Sequence, residues 1–530
     1  MPVAPRLAVR LLSVLGLAAV AMTAGCTPGP DGHTTPSAAP PAHCSPDAAA
    51  PKQQLRGMWV ASVRNIDWPS RPGLSVATQQ SELIGWLDLA RAKHFNAVML
   101  QVRPDADAFW PSPYEPWSQW LTGKQGKDPG YDPLAFAVRE AHQRNLELHA
   151  WFNPYRAGLH DDPGGLAPTH PARVHPDWTF AYGGALYYDP GIPAVRRFVE
   201  NAILDAVRRY DIDGVHFDDY FYPYPVAGKP LPDRRTFDRY GRGFATVGAW
   251  RRHNVDLLVR ELHQRIHAVK PWVKFGISPF GIWRNRSSDP RGSDTHGLES
   301  YDAVYADARG WVKHGWVDYI DPQVYWNIGF AAADYAKLVP WWAGVVRGTR
   351  VQLYIGQGDY KLGTTGRWKR PGELSRHLTF DERYPEVRGD VHFSASTVRA
   401  DPVGGVTRMV DRHYAHPALV PPMPGLGGHA PAAPVVLAAK RGDTGITVTW
   451  RDRGRRAVSY AVYRFAGDRA PGCGFADATH LLTTRRATSS RTQAFVDASA
   501  EPSRTYTYYV TALDRLWTES RPSHGATARS

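Results

Sequence analysis

From Leu55 to Tyr414, short apolar runs of strand length alternate with longer runs of helical period, and few folds accommodate that alternation. Strand-like runs fall at 55–62, 97–103, 146–153, 214–218, 274–278, 319–326, 351–356 and 390–394. Helix-like runs separate and follow them at 79–94, 133–145, 193–210, 250–269, 299–315, 332–346, 373–384 and 402–414. Pro133 and Pro193 stand where proline suits a first helical turn, and Asn145 and Gly315 where helices stop. Strands that each lead into a helix pair in parallel, and eight of them close a ring. The expected fold of residues 52–416 is therefore an α/β (β/α)8 TIM barrel.

What flanks this region differs in composition. Residues 417–434 are rich in Pro, Gly and Ala and read as a linker. Beyond it, residues 435–526 carry short alternating runs at 446–450, 460–465, 494–496 and 506–513, with Trp450 in an inward position. They predict a small all-β immunoglobulin-like sandwich that looks like a fibronectin type III module. At the other end, Arg6 and Arg10 precede an apolar run to Ala24 and then Gly25-Cys26. Residues 1–26 thus resemble a lipoprotein signal with Cys26 as the lipidated residue; Thr23, where such signals usually carry Leu, leaves ordinary secretion open. The run is too short to span a bilayer. Residues 27–51 read as a flexible tether. An exported protein can pair Cys44 with Cys473, or carry both as free thiols. The net charge of +13 is scattered rather than clustered and accompanies no nucleic-acid motif, so it points to a polyanionic wall or anionic lipid.

The most informative stretch is 211–225, Asp-Ile-Asp-Gly-Val-His-Phe-Asp-Asp-Tyr-Phe-Tyr-Pro-Tyr-Pro. A buried strand here runs straight into two carboxylates. Side chains alternate along a strand, so Val215 and Phe217 face the helices while His216 and Asp218 face the barrel interior near its carboxyl end. The same parity puts Gln101 and Arg103 inside, with Asp105 just beyond. It also turns His149, Trp151 and Asn153 inward on the third strand, and Asp321, Gln323 and Tyr325 on the sixth. One such residue is ordinarily a satisfied core group; four strands converging on one mouth point to a site.

Carboxylates in a polar, aromatic-lined mouth suit glycoside hydrolysis, in which one acid protonates the leaving oxygen and a carboxylate attacks or activates water. Trp151, Tyr155, Tyr220, Trp283 and Trp326 offer faces for sugar rings. Gln101, Arg103, Asp105, Asn153, Arg156, Gln323 and Tyr325 offer polar groups for sugar hydroxyls. Asp218 is the expected nucleophile or base. No Glu ends a strand, so the partner acid is sought among Asp219, Asp105, Asp189 and Asp307. Asp307 lies on the helical stripe of Val304, Ala308 and Trp311, where it either serves as the acid or pairs with Arg309. A metal-dependent deacetylase using His149, His216 and Asp218 is a second reading, weakened because the first strand lacks paired histidines. A wall-binding protein without catalysis is a third. No cofactor or metal is expected.

Five motifs then carry a family resemblance: Arg-Gly-Met-Trp-Val-Ala-Ser from Arg56, Trp-Phe-Asn-Pro-Tyr-Arg from Trp151, Asp-Gly-Val-His-Phe-Asp-Asp-Tyr-Phe-Tyr from Asp213, Gly-Ile-Ser-Pro-Phe-Gly-Ile-Trp-Arg-Asn from Gly276 and Pro-Gln-Val-Tyr-Trp from Pro322. In this order they resemble the glycosyl-hydrolase-like family ten, which includes bacterial peptidoglycan hydrolases of the DigH type. The resemblance covers about 55–414 and implies a barrel glycosidase acting on peptidoglycan glycan strands, in the DigH type those stripped of stem peptides. The pair Asp218–Asp219 and the Tyr-Ala-Asp motif of Asp307 fall on the family's pattern; His216 stands where relatives can carry Gln. The fourth strand also partly resembles the chitinase signature, but Tyr220 occupies the place of its catalytic Glu.

Overall fold

The computed structural model describes residues 44, 47, 49–454 and 457–529. The expected signal segment 1–26, its Cys26 and the tether up to residue 43 lie outside the described residues.

Eight parallel strands form a closed barrel: β1 (Leu55–Val60), β2 (Ala97–Arg103), β3 (Glu147–Phe152), β4 (Gly214–Phe217), β5 (Lys274–Ile277), β6 (Tyr319–Ile320), β7 (Gln352–Gln357) and β8 (Val387–His392). Each pairs with its sequence neighbours, and β8 closes on β1. The main helices between and after them are α1 (Val76–Ala92), α2 (Pro133–Gln143), α3 (Pro193–Arg209), α4 (Val247–Val269), α5 (Ala308–His314), α6 (Tyr335–Val346), α7 (Glu373–Asp381) and α8 (Gly405–His413). Strand parity is as the sequence predicts, except that on β2 the register shifts between Gln101 and Arg103. Val98, Leu100, Val102, Leu148, Ala150, Phe152, Val215 and Phe217 join the helices' Leu83, Leu87, Leu134 and Ile203 in one apolar layer.

The barrel interior is filled by a polar column. The Trp59 indole donates to His216 Nε2 (3.0 Å), which fixes that ring as neutral with its proton on Nδ1. That proton goes to the Tyr319 hydroxyl (3.0 Å), whose own proton goes to His149 Nδ1 (2.8 Å), leaving His149 Nε2 to donate to Glu147 (2.9 Å). Two glycines make room for these rings. A Cβ on Gly276 would sit 2.0 Å from the Tyr319 ring, and one on Gly214 2.6 Å from His149 Nδ1.

Two expected elements differ. The sixth strand is only Tyr319–Ile320, because Pro322 has no N–H to give a ladder; Gln323 continues the line through isolated bridges to Phe280 and Gly356. The helix expected over 299–315 is broken into Ser300–Ala303 and α5, with Tyr305 between them at φ 58°.

The C-terminal region is a two-sheet antiparallel sandwich of β9 (Val435–Gly442), β10 (Gly445–Arg451), β11 (Ser459–Ala466), β12 (Leu481–Arg486), β13 (Thr492–Asp497), β14 (Tyr506–Leu513) and β15 (Ala526–Ala528). One sheet has the order β9-β10-β13 and the other β12-β11-β14-β15. It packs on the amino-terminal end of the barrel. Trp517 donates its indole to Glu147 Oε1 (2.7 Å), the same carboxylate that receives the buried Lys274 ammonium. Arg515 bonds Asp211 (3.1 Å), and Lys52 pairs with Glu519 (2.7 Å). Leu419, Val420 and Met423, within the linker stretch, are buried in the same apolar cluster as Leu55, Tyr463 and Trp517. Cys44 is disulfide-bonded to Cys473, so the expected tether is tied to the sandwich at that residue.

Candidate active site

Beyond the end of β4, Asp218 and Asp219 point into the barrel mouth, 7% and 8% exposed. Asp218 is held from both sides: the Trp151 indole donates to one oxygen (3.1 Å), the Tyr220 backbone N–H to the other (3.2 Å), and the Asn153 amide reaches both (3.2 Å each). Asp219 accepts from Gln323 Nε2 (2.8 Å) and from the Tyr224 hydroxyl. Burial, and after it the charge of Asp219, pushes the Asp218 carboxyl up to about 7. Burial raises Asp219 as well, against the hydrogen bonds from Tyr224 and Gln323. Two carboxyls coupled in this way titrate as one unit.

An aromatic rim starts beside the pair. Tyr220 meets Tyr224 edge-on (5.4 Å), Tyr224 meets Phe280 (6.4 Å), and Phe280 meets Trp326 (5.4 Å). Tyr325 lies near Phe393 (6.3 Å) and Tyr360 (5.8 Å). Across the mouth Arg156 lies over the Tyr220 ring (5.4 Å) and donates to Asp105 (2.7 Å), which also accepts from the Trp120 indole (2.9 Å). Asn153 uses its amide oxygen to accept the Arg156 backbone N–H (2.9 Å), so one side chain orients both Asp218 and the Arg156 loop.

Other residues singled out from the sequence lie beneath the opening or away from it. Gln101 is fully buried, its carbonyl oxygen accepting the N–H groups of Ser62 (3.0 Å) and Val63 (2.9 Å). Arg103 is fully buried against Glu115 (2.8 Å) and donates to the carbonyls of Asn153 and Pro154, so it braces the loop from beneath. Tyr155 is buried in the outer apolar layer. Trp151 presents its indole N–H to Asp218 and is itself almost wholly buried.

Asp307 is not on a helical stripe: it is the N-cap of α5, accepting the Gly310 N–H (3.0 Å) and the Trp283 indole (2.8 Å). Arg309 lies over that Trp283 ring (5.5 Å) instead of pairing with Asp307. Among the described residues, Asp307 shares no hydrogen-bond partner with Asp218 or Asp219. Asp189 accepts from Gly191 (2.9 Å) and Thr236, and burial pushes it up to about 6. Tyr224, Phe280 and Phe393 belong to the mouth although sequence reading passed over them. For Tyr224 the signal was present in its place five residues after Asp219, at the end of a run of aromatics and prolines.

The metal-enzyme reading finds no suitable donors here. Both ring nitrogens of His149 and of His216 are committed within the interior column, and neither histidine offers a nitrogen beside Asp218.

Comparison with known proteins gives this geometry a family. The glycosyl hydrolase YngK of Bacillus subtilis (strain 168) is 47% identical over 485 residues, covering 90% of this chain and 93% of the relative. The residues before Val435 cannot supply that share alone, so the match runs into the sandwich. The glycosyl hydrolase DigH of Escherichia coli (strain K12) is 42% identical over 379 residues, covering 67% of this chain and 86% of the relative. Among solved structures, the glycoside hydrolase domain of PgaB (BpsB) from Bordetella bronchiseptica aligns with 68% of this chain and 99% of its own, at 13% identity and TM-score 0.45. The family model described as Glycosyl hydrolase-like 10 matches residues 54–370, more than half of the chain, and the chain belongs to that family.

Proposed function

We propose that this protein is an exported glycoside hydrolase that cleaves cell-wall glycan strands, peptidoglycan above all, at the mouth formed by Asp218 and Asp219. The observation that carries the reading is the coupled pair itself: two adjacent, nearly buried carboxyls, raised together, beside a rim of aromatic rings. Glycosidic cleavage asks for one protonated and one ionised carboxyl at the same pH. In the free enzyme the proton rests mainly on Asp218, which burial and Asp219 hold up to about 7; once that proton has passed to Asp219, Asp218, with N–H donors on both oxygens, serves as nucleophile or base. Asp219, backed by a neutral hydroxyl and an amide, carries the proton to the leaving oxygen. Arg156, Gln323, Tyr220 and Trp326 grip the sugar, the aromatic faces packing on its C–H surfaces.

The wall as substrate is supported by the family resemblance, by the scattered positive charge and by the signal-like first 26 residues, in which Cys26 would take the lipid. The Cys44–Cys473 disulfide suits an oxidising compartment, which favours a place outside the cytoplasm, anchored to the membrane and facing the wall. The test is to incubate the chain from Thr27 onward with purified sacculi before and after amidase stripping, with and without chelator, and to read released fragments by mass spectrometry. Chelator-resistant release of sugar fragments is expected, greatest from stripped strands, with the new reducing end naming the bond cut. Firm sedimentation with sacculi without release would instead make this a binding protein, and loss of release on chelation would make it a metal enzyme.

A further inference from the structure

The last turns of α4 carry two histidines, His263 and His267, four residues apart and therefore on one helical face. Opposite them, immediately before β6, stands Asp318. His267 Nε2 lies 3.0 Å from one oxygen of Asp318 and His263 Nε2 lies 3.6 Å from the other. One ligand atom from each of the three residues falls within 4.8 Å of the others. Zinc bonds to nitrogen and carboxylate oxygen at about 2.0–2.2 Å, which sets the atoms of a tetrahedral shell roughly 3.3–3.5 Å apart. The two histidine–carboxylate separations, each to a different oxygen of Asp318, bracket that spacing.

We propose that His263, His267 and Asp318 form a binding site for a divalent transition metal of the zinc class. Two imidazoles and one carboxylate are the donor set such ions take, and harder ions such as magnesium prefer oxygen alone. The carboxylate is already oriented by the backbone N–H of Phe275, 2.7 Å from one of its oxygens, the kind of outer support that metal-ligating groups receive. The side chains are 21%, 19% and 10% exposed, enough for an ion to enter and for water to fill a fourth position. The site is remote from the chemistry: His263 and His267 lie near the carboxyl end of α4 and Asp318 at the amino-terminal end of β6, whereas Asp218 lies beyond the carboxyl end of β4. A metal there clips a helix to the foot of a barrel strand and acts as a staple, with no role in the reaction.

The experiment uses the chain from Thr27 onward, stripped with chelator and dialysed, titrated with zinc chloride by calorimetry and followed by thermal melting. Wild type is expected to bind one zinc and to melt at higher temperature with the ion than without. His263→Gln/His267→Gln, two substitutions at partly exposed helical positions that leave the mouth untouched, should bind at least tenfold more weakly and lose the thermal response. Magnesium should produce neither effect. Absence of zinc binding by the wild type at 100-fold molar excess, or unchanged binding by the double variant, would overturn the proposal. Circular dichroism of the variant without zinc, expected to match wild type, separates lost ligation from lost folding.

Discussion

Replacing Asp218 with Asn should stabilise the protein at alkaline pH and destabilise it at acid pH. The folded carboxyl lies at about 7, against an ordinary value of 3.8. A group raised on folding contributes its stability in full below the unfolded value and loses it as pH rises through the folded one. Above pH 7 the wild type therefore bears a penalty of roughly 4 kcal/mol, which the neutral amide does not. The substitution has its own cost. One end of the new amide is an N–H group facing donors from Trp151, Asn153 or Tyr220, and that mismatch costs about 1–2 kcal/mol at any pH. The balance above pH 7 is a gain of roughly 2–3 kcal/mol; below about pH 4 only the loss remains. With an unfolding entropy near 2.1 cal/mol/K per residue over the barrel, the gain corresponds to about 3–4 °C in melting temperature. Calorimetric melting of both proteins at pH 4, 6 and 8 reads this directly, and the difference should change sign across the series. A difference that does not vary with pH, or an Asn variant that melts lower at pH 8, would refute the argument that burial and Asp219 hold this carboxyl up.

Other consequences can be measured in parallel. Lys274→Met leaves the buried Glu147 carboxylate with only His149 and Trp517, and should cost about 3–5 kcal/mol in stability, seen as a large fall in melting temperature. Tyr224→Phe removes a hydroxyl that lowers Asp219, so the Asp219 carboxyl should rise further and the alkaline limb of the pH–rate profile should move to higher pH. A profile unchanged in position would count against Asp219 as the proton carrier. Trp517→Ala should weaken the docking of the sandwich and expose the foot of the barrel, read as faster hydrogen exchange in β3 and β5.

The barrel was legible because strand period and helix period differ and because eight buried strands leave little else to build. Parity named the inward residues correctly on β3 and β4, including Trp151 and Asp218, whereas on β2 a register shift between Gln101 and Arg103 sets Arg103 level with the outward Phe152. It could not say how deep each lies or what meets it. Arg103 meets a partner twelve residues later, Glu115, on a loop whose path no local pattern fixes. The helical period places Asp307 on an apolar stripe, but the chain breaks at Tyr305 with φ 58°, and the residue becomes a cap instead. In the sandwich, β9 and β12 escaped notice because Lys440, Arg441, Arg485 and Arg486 interrupt the expected alternation; these are half-exposed strands stabilised by their neighbours. The docking of the sandwich rests on Trp517 and Arg515 meeting Glu147 and Asp211, more than 300 residues away in sequence, a contact that only the folded barrel brings together.

If Asp218 and Asp219 share the acid and base work, their titration must show in a pH–rate profile. The substrate is peptide-stripped glycan strands, and wild type is compared with Asp218→Asn and Asp219→Asn, each first verified as folded. The wild-type profile should have a limb near pH 7, and each variant should lose about 10²–10⁴ in rate. Cleavage by either variant within tenfold of wild type would contradict it and move the catalytic proton to another carboxyl.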